Sequence, residues 1–299
     1  MRNVFSNAVY KNIKKNKDIY VVAADISPSG VMAKLQAKEK NFINVGVAEQ
    51  NMIGVCAGLA MSGKKVFAYT IATFALYRPF EMVRDDLCYQ NLPVTIVGMG
   101  SGTIYANLGG THTSIEDISI ARSIPNFQVI SPCDPDELKS AVDFCCTKNK
   151  SPTYLRIGKS GEKNFTYLSK EKWKFGKIRR IIDGKNVCIL SHGPISYMGY
   201  QAIKKKGVNA SLYSCSTLKP FDEKKMNIIF KKYKKIITIE DHSIIGGLSE
   251  IVTNLAYKYN YRGKILTNSL KDKFLHKFSS QQDLLSLHGI SLRKILKQL

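Results

Sequence analysis

The 299-residue sequence has no run of about 18 consecutive apolar residues, which excludes a transmembrane helix. Its opening stretch, MRNVFSNAVYKNIKKNK, lacks the apolar core of a signal peptide; Phe5, Val9 and Ile13 instead mark one face of a helix. The two absences together predict a cytoplasmic protein. The seven cysteines (Cys56, Cys88, Cys133, Cys145, Cys146, Cys188 and Cys215) form no CxxC and have no histidine at metal-ligand spacing, so they read as buried, reduced thiols. Neither GxGxxG nor GxxxxGK[ST] occurs. Gly98-Met99-Gly100-Ser101-Gly102 has the wrong spacing and no helix directly after it, which argues against nucleotide binding of those two kinds. No solenoid-type repeat is present.

Acidic residues are also scarce, and unevenly so. The chain carries a net charge of +22, of which residues 1–150 contribute +3 (16 Lys+Arg, 13 Asp+Glu) and residues 151–299 contribute +19 (29 against 10). Such asymmetry fits either an anion-binding surface or lysines decorating solvated helix faces, as in Lys204-Lys205-Lys206. No helix-turn-helix, zinc-finger or RNA-recognition signature accompanies the lysines, and aromatics do not interleave them, so no nucleic-acid partner is expected. Phosphorylated substrates or an acidic partner chain use that field more economically.

With 44% hydrophobic and 23% charged residues the composition is that of an ordinary globular protein. Short β-branched runs alternate with helix-length segments. Strands are expected at 19–25, 41–45, 65–70, 94–98, 128–131 and 153–157, with helices at 48–61, 75–90, 115–123 and 134–147 between them. After a polar, lysine-rich stretch (158–180), alternation resumes with strands at 187–191, 210–213, 236–240 and 264–267 and helices near 195–206, 222–233 and 247–260. Unbroken apolar strands followed by helices predict two α/β domains, each a mostly parallel sheet with helices on both faces.

In such sheets ligands bind at the carboxyl ends of strands, and those ends are rich in functional groups: Asp25 to Gly30, Gly46 to Gln50, Thr70 to Tyr77, and Gly98 to His112. Glu49 opens a helix, where it either complements the helix dipole or points into a cleft between subunits that would let it hold a proton. Phe74, Tyr77 and Phe80 recur every third residue, as core aromatics or as a wall for a planar ring. His112 lies in a long glycine-flanked loop, a setting more common for functional histidines than for structural ones. Ser114 nearby reads equally as a cap for the next helix, so part of this loop fits ordinary helix initiation.

These residues carry a resemblance. The run GVAEQNMIGVCAGLAMSGKKVFAYTIATF, then QNLPV and GGTHTSIEDISIARSIPNFQVISPCDPDEL, resembles the C-terminal half of transketolase in the form encoded as a separate small subunit. VCILSHG, TLKPFD and EDHSIIGGL resemble the transketolase C-terminal domain, so the likeness spans the whole chain in collinear order. It implies a thiamine diphosphate pyrimidine-binding domain over 1–160, a linker over 161–180 and a transketolase-like C-terminal domain over 181–299.

Residue by residue, Glu49 matches the glutamate that bonds N1′ of the aminopyrimidine and favours its reactive tautomer. Phe74, Tyr77 and Phe80 match the aromatics around that ring. Asp25 and Ser29 match strand-end residues near cofactor and sugar phosphate, and His112 matches a substrate-contacting histidine. Lys159, after Arg156, falls near a phosphate-binding arginine, keeping the charge without the bidentate fork. The implied activity is transfer of a two-carbon ketol unit from a ketose to an aldose, the cofactor carrying the bond chemistry.

Two departures sharpen the expectation. The GDG…N motif that holds Mg²⁺ and the diphosphate is absent; Asp183-Gly184-Lys185-Asn186 lacks its preceding glycine. The Mg²⁺ ligands are therefore expected on an N-terminal partner subunit, in an α2β2 heterotetramer. Leu108 and Gly100 stand where transketolases carry an aspartate and a histidine that read the donor, so an unusual sugar is expected. The alternatives are a deoxyxylulose phosphate synthase-like chain, an oxo-acid dehydrogenase beta-like chain, or a non-catalytic partner retaining the fold.

Overall fold

The computed structural model describes residues 1–26, 30–38 and 40–299. Among the described residues twelve strands are interspersed with helices along the chain: β1 Ile19–Ala23, β2 Phe42–Asn44, β3 Lys65–Ile71, β4 Val94–Met99, β5 Gln128–Ile130, β6 Thr153–Ile157, β7 Arg179–Ile182, β8 Val187–Ser191, β9 Ala210–Ser214, β10 Thr217–Lys219, β11 Lys235–Ser243 and β12 Lys264–Leu270. They form a seven-stranded sheet of order β10-β5-β6-β4-β3-β1-β2 and a five-stranded sheet of order β12-β11-β8-β9-β7. All pairings are parallel except at two edges, where β10 lies antiparallel to β5 and β7 antiparallel to β9. Every residue of β4, β6, β8 and β9 is buried, as parallel strands covered on both faces must be.

Sheet membership does not follow chain order. β10 belongs to the second half of the sequence but closes the edge of the first sheet. The stretch 161–180, expected as a linker, is likewise packed. Asp134 caps the helix Pro135–Thr147 by accepting from the Asp136 and Glu137 amides at 3.1 and 3.0 Å. Its other oxygen accepts from the amides of Phe165 and Thr166 at 2.9 and 2.8 Å, so one carboxylate fixes both a helix start and the connecting chain. Farther on, the ring of Phe175 stacks on Phe144 at 4.4 Å, and the Trp173 indole donates to Ser216 Oγ at 2.8 Å. Among the described residues no helix is long and apolar enough to cross a membrane.

Each sheet reverses its winding at a strand that has neighbours from two directions of travel. In the first, β1 has β2 on one side and β3 on the other; in the second, β8 lies between β9 and β11. Such reversals part the loops at the carboxyl ends of the strands and leave a crevice there. The residues of functional interest lie in or between these two crevices.

Candidate active site

The first crevice is an open cleft of about 480 Å³ at the carboxyl ends of β1 to β4. Asp25 enters from the loop after β1, Glu49 from the turn after β2, Thr70 from β3, Phe74 from the short helix Ala72–Leu76 that follows it, and Met99 from β4. Glu49 is the first residue of the helix Glu49–Met61. The turn before it is held by Asn44, whose Oδ1 accepts from the amides of Gly46 and Asp25 at 3.0 and 3.2 Å. The Glu49 side chain is only 3% exposed, yet it lines the cleft. Arg78 Nη1 donates to Glu49 Oε2 at 2.8 Å, and the Arg78 guanidinium lies 4.7 Å from the centroid of the Phe74 ring.

His112 closes the far side. Its ring meets Phe74 edge-on at 5.2 Å and Tyr105 at 6.1 Å, and Nδ1 lies 2.9 Å from Thr111 Oγ1. Tyr105 also carries Lys159, whose ammonium sits 4.7 Å from its ring centre. Arg2 lines the same cleft; its helix is tied to Lys159 by the Arg2 amide donating to the Lys159 carbonyl at 2.9 Å. The rim thus brings cationic side chains to an interior with an aromatic face and a buried carboxyl.

Other expected residues lie elsewhere. Tyr77 turns into the core, Phe80 is 38% exposed, and neither lines the cleft. Leu108 sits on a short 3₁₀ turn with its side chain out. Gly100 adopts φ +70, and a Cβ there would lie 2.1 Å from Tyr105 Cε2: the space a side chain at position 100 would use belongs to Tyr105. Ser29 lies outside the described residues. Arg156 is not brought to the cleft. It is 3% exposed, with Nε on Asp117 Oδ2 and Nη2 on the Asp241 carbonyl, both at 2.8 Å, which leaves it no path to the cleft.

Those contacts belong to the second crevice, which is plugged. Asp241, after the core of β11, accepts from the Thr103 amide and hydroxyl and from Gln281 Nε2 at 3.0 Å. Gly102 permits this approach, since a Cβ there would lie 2.5 Å from Asp241 Oδ2. His242 Nε2 lies 3.2 Å from the Ile118 amide, and its Nδ1 is 2.8 Å from the Ser243 carbonyl. That arrangement suits a neutral ring, and burial lowers its pKa in the same sense. Burial raises the Asp241 carboxyl, against the pull of Arg156 and Thr103. Glu240 is held below the usual carboxylate range: burial opposes its charge, but His192 beside it and the hydrogen bond from Ser249 outweigh that.

The glycine-rich loop after β4 therefore serves both crevices, docking Thr103 into one and placing His112 in the other. Sequence reasoning missed Arg2, Arg78 and Tyr105. For Arg78 a signal existed: a cation embedded in the aromatic string FALYRPF.

Residues 1–161 match the family model for the transketolase pyrimidine binding domain, and residues 176–295 that for the transketolase C-terminal domain. The chain belongs to the transketolase family. It is 34% identical, over its whole length and 95% of the relative's, to a Methanocaldococcus jannaschii protein provisionally named transketolase C-terminal section. A subunit of the apulose-4-phosphate transketolase of Phocaeicola vulgatus is 33% identical over 84% of this chain and 81% of its own. A solved split gene transketolase, described as an inactive beta4 tetramer, superposes with a TM-score of 0.88 at 30% identity, covering 99% of this chain and 96% of the other. Within this transketolase-family chain, the open cleft lies wholly in the pyrimidine-binding part, and the plugged crevice is where that part meets the C-terminal domain.

Proposed function

We propose that this chain is the C-terminal subunit of a two-chain transketolase, active with an N-terminal subunit that carries the GDG motif. The observation that carries the reading is Glu49: a carboxyl group 3% exposed, on the wall of an open cleft that Phe74 also lines. Those groups fit the aminopyrimidine end of thiamine diphosphate, a flat ring with nitrogen atoms at its edge. They do not extend to the other end: among the described residues no group of three or more His, Cys, Asp or Glu side chains could hold a metal ion. Mg²⁺ and the diphosphate are assigned to the partner subunit.

When bound, thiamine diphosphate supplies the electron sink that lets a two-carbon ketol unit leave a ketose for an aldose. In the cleft, the remaining roles fall to this chain's residues. Glu49, desolvated once the partner covers the cleft, holds a proton that it donates to a ring nitrogen. Phe74 fixes the plane of the ring. His112, held by Thr111, donates or accepts at substrate oxygens, with Asp25 across the cleft. Arg2 and Lys159 attract the phosphate of a sugar phosphate at the rim. Leu108 and Gly100 offer no hydroxyl-reading group, which favours a sugar lacking the usual hydroxyl pattern.

The test is co-expression with a GDG-bearing candidate subunit and titration with thiamine diphosphate and Mg²⁺. Ketol transfer by the pair, and by neither chain alone, supports the assignment and an α2β2 assembly by mass. Full activity of the isolated chain, or a pair that binds no cofactor, refutes it.

A further inference from the structure

Arg78 makes two contacts at once in the cleft. Its guanidinium lies 4.7 Å from the centroid of the Phe74 ring, and its Nη1 donates to Glu49 at 2.8 Å. A guanidinium is flat, cationic and edged with N–H donors. In shape and hydrogen bonding it reproduces the edge of a nitrogenous aromatic ring laid on Phe74 with a ring nitrogen toward Glu49. We propose that Arg78 is a placeholder, occupying the aminopyrimidine's position in the cofactor-free subunit and leaving when the cofactor arrives; this rests on the thiamine diphosphate reading above.

The surroundings support departure. Arg78 is 47% exposed on a long side chain just past the short helix Ala72–Leu76, whereas Glu49 is 3% exposed on the wall of the cleft. The ion pair is therefore easily broken from the Arg78 end, and Arg78 keeps its own charge in solvent. Glu49 has no such escape. The other titratable groups facing the cleft are Arg2, Asp25, Tyr105 and His112, with Lys159 on the outer side of Tyr105. Once Arg78 leaves and a neutral ring takes its place, the buried carboxylate loses the cation that offset its desolvation and takes one proton from solvent. Loading and protonation of Glu49 are thereby one event, and an empty cleft keeps its carboxyl charged and paired.

The experiment is calorimetric titration of thiamine diphosphate with Mg²⁺ into the co-expressed pair, in buffers of different ionisation enthalpy, for wild type and Arg78→Met. Wild type should take up about one proton per site on binding, and the variant distinctly less, because its Glu49 has no cation to keep it charged beforehand. The variant should bind roughly two- to tenfold more tightly, the competition having been removed. Equal proton counts in the two proteins, or weaker binding by the variant, would overturn the placeholder while leaving the cofactor reading intact. So would a structure of the loaded pair with Arg78 still on Glu49 and Phe74. Absence of binding by wild type and variant alike would overturn both.

Discussion

The two sheets share one topological device and use it in opposite ways. Each reverses its winding, at β1 in the first and at β8 in the second, and that reversal opens a crevice at strand carboxyl ends. In the first sheet the crevice stays open, about 480 Å³, and collects Asp25, Glu49, Phe74 and His112. In the second it is filled by the first domain, which inserts Thr103, Asp117 and Arg156 among Glu240, Asp241 and His242. The contrast teaches that a crevice made by topology is only an opportunity. What decides its use is whether the charged groups at its mouth find partners inside the chain. In the second they do, and the result is a joint. In the first, the buried carboxyl is paired with a half-exposed arginine.

Replacing Glu49 tests the open side most severely. Glu49→Gln in the assembled pair should lower kcat by on the order of 10²- to 10⁴-fold, as expected for loss of a proton-holding group, with assembly by size-exclusion and mass unchanged. Activity near wild type would erase the functional half of the contrast. The plugged side should answer in stability instead. Asp117→Ala leaves the Arg156 guanidinium buried without its counter-charge and strips Tyr154 of its 2.7 Å acceptor, so unfolding free energy should fall by about 3–5 kcal/mol in denaturant titration. A loss below about 1 kcal/mol, the range of an exposed pair, would show that the joint is not held by this charge pair.

Gly100→Ala probes the loop that links the two regions. Its Cβ would meet the Tyr105 ring at 2.1 Å in a backbone conformation with φ +70. The expected cost is about 1–3 kcal/mol, together with displacement of Tyr105 from the cleft and a raised KM for phosphorylated substrate. The smallest effect is on pH dependence. Burial lowers the folded-state pKa of His242, so the unfolded chain binds the proton first as pH falls. Stability contributed by this group is complete above about pH 6.5 and is lost as pH drops below it, by at most ~1.4 kcal/mol per pH unit. His242→Gln should flatten that slope between about pH 7 and 5.5; an unchanged slope would mean that another group carries it.

Much of this was legible from the amino acids. Strand and helix alternation, the two mostly parallel sheets, and the gathering of Asp25, Glu49, Phe74 and His112 at strand ends all follow from local pattern, because parallel strands are apolar throughout and their functional ends are not. What escaped was set by long-range partners. Arg156, three residues before the Lys159 expected at the phosphate, turns inward, and nothing near it in sequence announces Asp117 or the Asp241 carbonyl. Arg2 reaches the cleft only because its helix is tied to Lys159, far along the chain. Trp173 and Phe175 look like stray aromatics in a polar stretch until Phe144 and Ser216 are placed beside them. The helix predicted as continuous from 75 to 90 is broken, running as Ala72–Leu76, a single turn at Phe80–Met82 and a π-helical stretch Val83–Tyr89.

The short strand Thr217–Lys219 has a consequence for how this polypeptide can be dissected. It shields the β5 border of a sheet built otherwise from residues before 160, with Thr217 opposite Ile130. A fragment cut in the 158–180 stretch would leave that border with unsatisfied amides and carbonyls, ready to pair with the same border of another copy. The two halves behave less like beads on a string than like clasped hands, and truncates made to study either one should precipitate or self-associate where the intact molecule does not.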